Sequence, residues 1–178
     1  MDVLYHISDR PGIARFEPRP APASGMAGEV VWAIDDAHLH NYLLPRDCPR
    51  VTYYPLAESL PEDVARLMGD SGARAVVAIE SRWFESAWNA RLYQYELPAS
   101  AFACVDAGAG YFVAEQAVAP ICATLIEDPL GEMLRRGVEL SVMPSLWDLR
   151  DQIIASTLQF SIIRMRNALP RQEEPGGK

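Results

Sequence analysis

The chain has 178 residues, of which 49% are hydrophobic, and this is enough for one ordinary domain with one core. Its formal net charge is −8, which disfavours a general role in binding DNA, RNA or an anionic membrane, because such binding relies on clustered Lys and Arg. The three cysteines are too scattered for a disulfide framework or a zinc site, so no metal is expected. No signal peptide is recognisable and no apolar segment approaches the ~18 residues that span a bilayer, so we expect a cytoplasmic protein.

The first fifty residues alternate short apolar runs with turn signals. Residues 3–8 are predicted to form a strand, and the Pro- and Gly-rich residues 9–28 a surface loop anchored by Phe16. A second strand is expected over residues 29–34. Asp35 or Asp36 then caps a short helix that ends before Pro45.

The middle of the chain is predicted to form strands with short helices between them. Helices are expected over residues 61–68, after a proline suited to the first turn, and over 81–89. Apolar or alternating runs predict strands over residues 50–54, 73–80, 91–97, 111–113 and 118–126.

The C-terminal third is predicted to hold a helix over residues 129–136, a strand over 138–143 and then the longest helix, from Pro144 to about Arg166. In that helix Leu146, Leu149, Ile153 and Phe160 recur at helical spacing and should be buried. The elements do not alternate as regular βαβ units. The sequence therefore predicts one α+β domain over residues 1–169 with a mixed or antiparallel sheet, followed by a disordered tail over 170–178.

Few residues point to chemistry. His6 lies at a strand end before a loop, where a histidine can bind ribose hydroxyls or transfer protons near neutral pH. The alternative is a core histidine bonded to a backbone carbonyl. Arg46 and Arg50 flank Asp47 and could clamp an anion together with Arg19, although Asp47 could instead hold one arginine in an ion pair. His38 and His40 are expected to be solvated helix residues, and Cys48 a buried thiol.

Several of these residues form a pattern that resembles ADP-ribosyltransferase-like domains, including the RNA 2′-phosphotransferase branch. The pattern consists of Leu4-Tyr5-His6, then Ile13, Phe16 and Pro18, then Val31-Trp32-Ala33-Ile34 before a helix with Tyr42. The resemblance implies NAD as the cofactor, with His6 holding its ribose, Trp32 near the nicotinamide and Tyr42 stacking on it. It also implies a later acidic or amide residue that orients the ribose, here Glu115 or Gln116.

Over its whole length the chain is also similar to a small uncharacterised bacterial family. The recurring pieces are Val-Trp-Ala-Ile-Asp at 31–35, Pro-Arg-Asp-Cys-Pro-Arg at 45–50 and Pro-Ser-Leu-Trp at 144–147. That similarity implies no activity.

Three hypotheses for the function therefore remain. The first is an NAD-using transferase or hydrolase, with Glu115 or Gln116 catalytic and Tyr5, His6, Trp32 and Tyr42 binding the ligand. The second is a non-catalytic domain that binds a small anion, such as a nucleotide, through Arg19, Arg46 and Arg50. The third is a structural or partner-binding protein, for example a homodimer formed through the C-terminal helix.

Overall fold

The computed structural model describes residues 2–20 and 28–171. Within them the chain divides into two compact units. The first unit takes its residues from 1–46 and 90–129, and the second from 47–89 and 130–178. Most of the predicted disordered tail, residues 172–178, lies outside the described residues, as do 21–27 of the predicted loop.

Eleven strands and four α-helices make up the described part of the chain, numbered here in chain order. The strands are β1 Val3–Ser8, β2 Arg19–Pro20, β3 Glu29–Ile34, β4 Arg50–Tyr54, β5 Ala75–Glu80, β6 Leu92–Pro98, β7 Ala103–Asp106, β8 Tyr111–Ala114, β9 Cys122–Ile126, β10 Val138–Met143 and β11 Gln159–Ile163. The helices are α1 Pro61–Met68, α2 Phe84–Trp88, α3 Pro129–Arg135 and α4 Trp147–Ile154. None of the described helices is long and apolar enough to cross a membrane.

The first unit is built on an antiparallel sheet in the order β7-β8-β3-β1-β6-β9, with β2 also paired to β3. Successive side chains of a strand point to opposite faces, so Leu4 and His6 share one face of β1 while Tyr5 and Ile7 share the other. The core lies on the Leu4 face, where Leu4, Val31, Ala33, Tyr95, Leu97 and Ala114 pack together. Phe16 closes over this core, as expected of a loop anchor, and its backbone pairs with Val118.

The second unit contains a four-stranded sheet in the order β10-β5-β4-β11. β5 and β10 are parallel, and the other two pairs are antiparallel. All six residues of β5 are buried, which fits its near-continuous apolar sequence. The core of this unit joins Val51, Tyr53, Val76 and Ala78 of the sheet to Met68, Leu146, Ile153 and Leu158.

The α+β fold class with mixed and antiparallel sheets is confirmed. The bounds of β1, β3, β4, α1 and β10 agree with those predicted from the sequence. Whether the two units behave as one domain over residues 1–169 stays a prediction.

The prediction of a long C-terminal helix, from Pro144 to about Arg166, is wrong. α4 ends at Ile154, and the chain then forms a turn and β11, the edge strand of the second sheet. Ser156 Oγ donates to the Ile153 carbonyl at 2.8 Å, which ends the helix, and both the backbone N–H and the hydroxyl of Thr157 donate to Asp63 at 2.8 Å. Of the four residues predicted to be buried in it, Leu146 and Ile153 are buried, Leu149 is half-buried, and Phe160 is 39% exposed.

Smaller differences concern the first unit. β7 was not predicted, and β9 begins at Cys122 instead of Val118. The helix expected after Asp35 is one 3-10 turn, Leu39–Tyr42. Local periodicity is weak in such short segments, so tertiary pairing decides their ends.

Candidate functional site

His6 lies in the middle of the first sheet, on the face that carries the core. It is directly opposite Tyr95 of β6, and its ring stands 4.7 Å from the ring of Phe16. Its Nδ1 lies 2.9 Å from the backbone carbonyl oxygen of Trp32. A hydrogen bond to a backbone carbonyl is what the alternative interpretation, in which His6 is a core histidine, predicts.

The hydrogen bond fixes the state of the ring. A carbonyl oxygen can only accept, so Nδ1 must carry the proton, and in the neutral ring Nε2 is then an acceptor. Nε2 has no hydrogen-bond partner among the described residues. Burial lowers the pKa of His6 below its ordinary value of 6.5, and the Trp32 carbonyl opposes this effect. The ring is therefore neutral at pH 7, with an acceptor nitrogen available to a ligand.

Two of the predicted anion-binding residues act on this ring. The positive charges of Arg46 and Arg19 lower the pKa of His6 further. Arg19 lies in β2, opposite Val30, and Arg46 follows the 3-10 turn. Both side chains are exposed. These electrostatic effects link His6, Arg19 and Arg46, which are widely separated in sequence, and we call these three residues the His6 surface.

Glu115 and Gln116 lie at one end of the same sheet. Both are exposed and follow Ala114, the last residue of β8, which pairs with Val31. Because Arg19 pairs with the neighbouring Val30, Glu115 and Arg19 belong to the same end of β3. A catalytic role for either residue stays a prediction.

Tyr5 and Trp32 are half-buried and point to the sheet face opposite to His6. Tyr5 pairs with Ile34, so the side chains of Tyr5, Ile34 and Trp32 share one face by the alternation of the strands. The indole of Trp32 meets Tyr111 edge-on, with ring centroids 5.8 Å apart. The structure therefore joins His6 to the main chain of Trp32, and a ligand-binding role for the side chains of Tyr5 and Trp32 stays a prediction.

Tyr42 and Arg50 are placed differently. Tyr42 is half-buried at the end of the 3-10 turn in the first unit. Arg50 opens β4 in the second unit and is only 2% exposed. Their participation in ligand binding is untested by the geometry.

The segment around Asp47 belongs to the second unit. An ion pair of Asp47 with one of its flanking arginines was expected as the structural alternative. The ion pair that the structure shows joins Asp47 Oδ1 to Nε of Arg164, 3.8 Å away and distant in sequence. Cys48 is buried as predicted, and burial raises the pKa of its thiol to about 11. A thiol in this state is protonated and unreactive at pH 7.

Sequence reasoning missed a pair in the first unit. Oδ1 of Asp35 accepts two hydrogen bonds from His38, one from the backbone N–H at 2.9 Å and one from Nδ1 at 2.7 Å. The expectation of solvated histidines was wrong, since the His38 side chain is only 15% exposed and His40 only 1%. An Asp three residues before a His, directly after a strand, was the available signal.

Metal binding finds no support from side-chain clustering. Across residues 2–20 and 28–171 no group of three or more His, Cys, Asp or Glu is placed to hold a metal ion.

Comparison with known proteins identifies the family. The model of a family of unknown function, DUF6886, matches residues 5–168, and the chain belongs to that family. The comparisons found no matching curated protein and no matching solved structure. The resemblance to ADP-ribosyltransferase-like domains is therefore an argument from residues alone.

Proposed function

We propose that the first unit binds a phosphate-bearing nucleotide, with NAD as the leading candidate, at the His6 surface. The observation that carries the proposal is that Arg19 and Arg46 both act electrostatically on a half-buried histidine whose tautomer is fixed. Two cations beside a neutral acceptor suit a ligand that combines negative charge with hydroxyl groups, and a nucleotide combines both.

The net charge of the chain favours binding through a few local cations. The whole chain carries −8, so a general attraction for polyanions is disfavoured, and binding must rely on cations that the fold brings together. A single nucleotide needs only a few such contacts, whereas a nucleic acid needs many along its backbone. A small nucleotide is therefore the better fit.

The division of roles follows from the ring state of His6. Its Nε2 would accept a hydrogen bond from a ribose hydroxyl, and the two guanidinium groups would hold the phosphates. This assignment agrees with the ribose-binding role that the family resemblance implies for His6.

Catalysis is the further step of the proposal. If NAD is turned over, a carboxylate at Glu115 would stabilise the positive charge that develops on the ribose as nicotinamide leaves. Gln116 could only donate or accept hydrogen bonds there. Glu115→Ala should then spare NAD binding and abolish turnover, whereas Gln116→Ala should retain turnover. Equal loss in both variants would contradict this assignment.

The second candidate function is non-catalytic binding of a small anion. It is favoured by the same pair of arginines, which would hold inorganic phosphate or a carboxylate as well as a nucleotide. The two functions differ in whether the ligand must carry a ribose.

A thermal-shift screen with NAD, ADP-ribose, AMP and inorganic phosphate separates them. Stabilisation by the three ribose-containing ligands and not by phosphate is expected, because only they reach Nε2 of His6. Stabilisation by phosphate as strong as that by the three ribose-containing ligands would favour the second function, and no shift with any ligand would overturn both.

Variants of the arginines sharpen the screen. Arg46→Gln and Arg19→Gln should each weaken nucleotide binding by about tenfold or more, since a charge-assisted hydrogen bond contributes about 1.5–3 kcal/mol. Arg91→Gln is the matched control, because Arg91 lies in the same unit, is exposed and pairs with Glu127. Equal weakening by all three variants would mean that nucleotide binding depends on the net charge of the protein and not on Arg19 and Arg46 in particular.

A further inference from the structure

Two large aromatic side chains are exposed side by side on α2, in the second unit. Phe84 is 39% exposed and Trp88 is 67% exposed, and their ring centroids are 6.0 Å apart at an interplanar angle of 37°. Together with Glu85 they line a surface pocket of about 410 Å³, and we call these three residues the α2 patch. Large apolar side chains gathered on a surface in this way are typical of a contact with another molecule.

The carboxylate of Glu85 adds a negative charge to the α2 patch. In the part of the chain that the structure describes, the Glu85 side chain is exposed and makes no ion pair or hydrogen bond. Arg82, one turn earlier, pairs instead with Glu80 at 2.9 Å and donates to the carbonyl of Asn167. The α2 patch is therefore both aromatic and anionic, and this combination favours a ligand with a positive charge.

The same unit contains an indole and a carboxylate that hold cations together. The guanidinium of Arg171 lies 5.8 Å from the centroid of the Trp147 ring and also pairs with Asp151, four residues after Trp147. The guanidinium of Arg150 lies 5.7 Å from the same ring and 2.8 Å from Asp151. Arginine suits such a pair because its planar guanidinium stacks on a ring while its N–H groups bond a carboxylate.

The α2 patch has the same two groups without the cation. Glu85 and Trp88 are three residues apart on α2, and among the described residues no arginine lies over the Trp88 ring. We propose that the α2 patch docks a partner protein through an arginine of that partner. The guanidinium stacks on Trp88 and pairs with Glu85, and Phe84 packs against the aliphatic part of the same side chain.

Charge argues against a second copy of this chain as the occupant. A two-fold contact would place the α2 patch against itself, so that two Glu85 carboxylates would meet without a cation between them. The whole chain also carries a formal net charge of −8, which disfavours self-association and increases the rate of encounter with a basic partner. A partner with an exposed arginine therefore fits better.

NMR of the ¹⁵N-labelled indole N–H groups tests this chemistry, with the peptide acetyl-Gly-Arg-Gly-amide as the probe. The Trp88 signal, assigned by its absence in Trp88→Phe, should shift saturably with this peptide. The matching citrulline peptide has nearly the same shape and no charge, so it should bind at least ~3-fold more weakly. Trp147 is the internal control and should not shift, because two guanidinium groups already lie over its ring.

A matched pair of variants tests the carboxylate. Glu85→Gln should keep the melting temperature, because the side chain is exposed, and should weaken binding of the arginine peptide about 2–5-fold. Glu62→Gln is the control, since Glu62 is an exposed carboxylate in the first turn of α1, and should bind the peptide as the parent does.

Several results would overturn the proposal. They are the absence of a saturable Trp88 shift, equal binding of the arginine and citrulline peptides, and unchanged binding in Glu85→Gln. Tighter binding of tetramethylammonium chloride than of the arginine peptide would also overturn it, because the ligand would then be a free organic cation. So would a parent dimer that Trp88→Ala dissociates in analytical ultracentrifugation, because the occupant would then be a second copy.

Discussion

At the scale of single residues, the environment of His6 combines two influences that usually occur apart. The ring is held by a main-chain carbonyl, as a structural histidine is, and the positive charges of two exposed arginines also act on it, as expected at an anion-binding site. Burial and both cations disfavour the charged ring, so the neutral form is maintained around pH 7.

A dependence of stability on pH follows from this. The pKa of His6 is lowered in the folded state, so between that value and 6.5 the unfolded chain binds a proton that the folded chain does not. The contribution of His6 to stability is thus complete above pH 6.5 and decreases as the pH falls below it. His6→Asn keeps a donor to Trp32, and its urea midpoint should change less between pH 7.5 and about 5.5 than that of the parent. Identical pH profiles would contradict the assignment.

The cysteines give a second prediction at this scale. Cys104 and Cys122 are exposed and Cys48 is buried with a pKa raised to about 11, so at pH 8 only about one Cys48 thiol in a thousand is ionised. Titration with an aromatic disulfide reagent should therefore modify two thiols in the native protein and a third only after denaturation. Rapid modification of all three would place Cys48 in an exposed position.

At the scale of elements, the C-terminal segment shows where sequence periodicity misleads. Leu146, Leu149 and Ile153 follow helical spacing, and this part is helical. The next residues are Ser156 and Thr157, whose side chains bond the Ile153 carbonyl and Asp63 and stop the helix. Asp63 lies 94 residues from Thr157, and a contact of that range leaves no local signature in the sequence.

The short α4 gives a matched pair of neighbours for a stability test. Ile153 is fully buried in the core of the second unit, whereas Ile154 is 45% exposed. Ile153→Asp should lower the free energy of unfolding by at least ~3 kcal/mol, because it buries an unpaired charge, and Ile154→Asp by about 0.5 kcal/mol or less. Chemical denaturation measures both. Equal losses would mean that the helix presents a different face to the core.

At the scale of the whole molecule, composition and turn signals were enough to predict an α+β fold and most strand bounds. Strands such as β1, β3 and β5 are apolar runs with clear ends, so their formation is encoded locally. The pairing order of the strands and the division into two units depend on contacts between distant segments and were not predictable in this way.

The candidate site, too, has one part that local sequence predicts and another that depends on contacts between distant segments. His6 was identifiable as a polar residue ending an apolar run, but its electrostatic link to Arg19 and Arg46 depends on the pairing of β2 with β3 and on the fold of the 35–46 segment. The Asp35–His38 pair was overlooked because a helix was expected, with Asp35 or Asp36 as its cap and with His38 and His40 as solvated residues. The 3-10 turn instead brings the imidazole onto the carboxylate.

Isothermal titration calorimetry of NAD binding tests the His6 surface most directly, with the parent protein, His6→Asn and Arg91→Gln. His6→Asn retains the donor to the Trp32 carbonyl and removes Nε2, so the variant should fold with loss of NAD affinity of about tenfold or more. Arg91→Gln should bind NAD as the parent does. NAD binding that is absent in the parent protein, or unchanged in His6→Asn, would contradict the account.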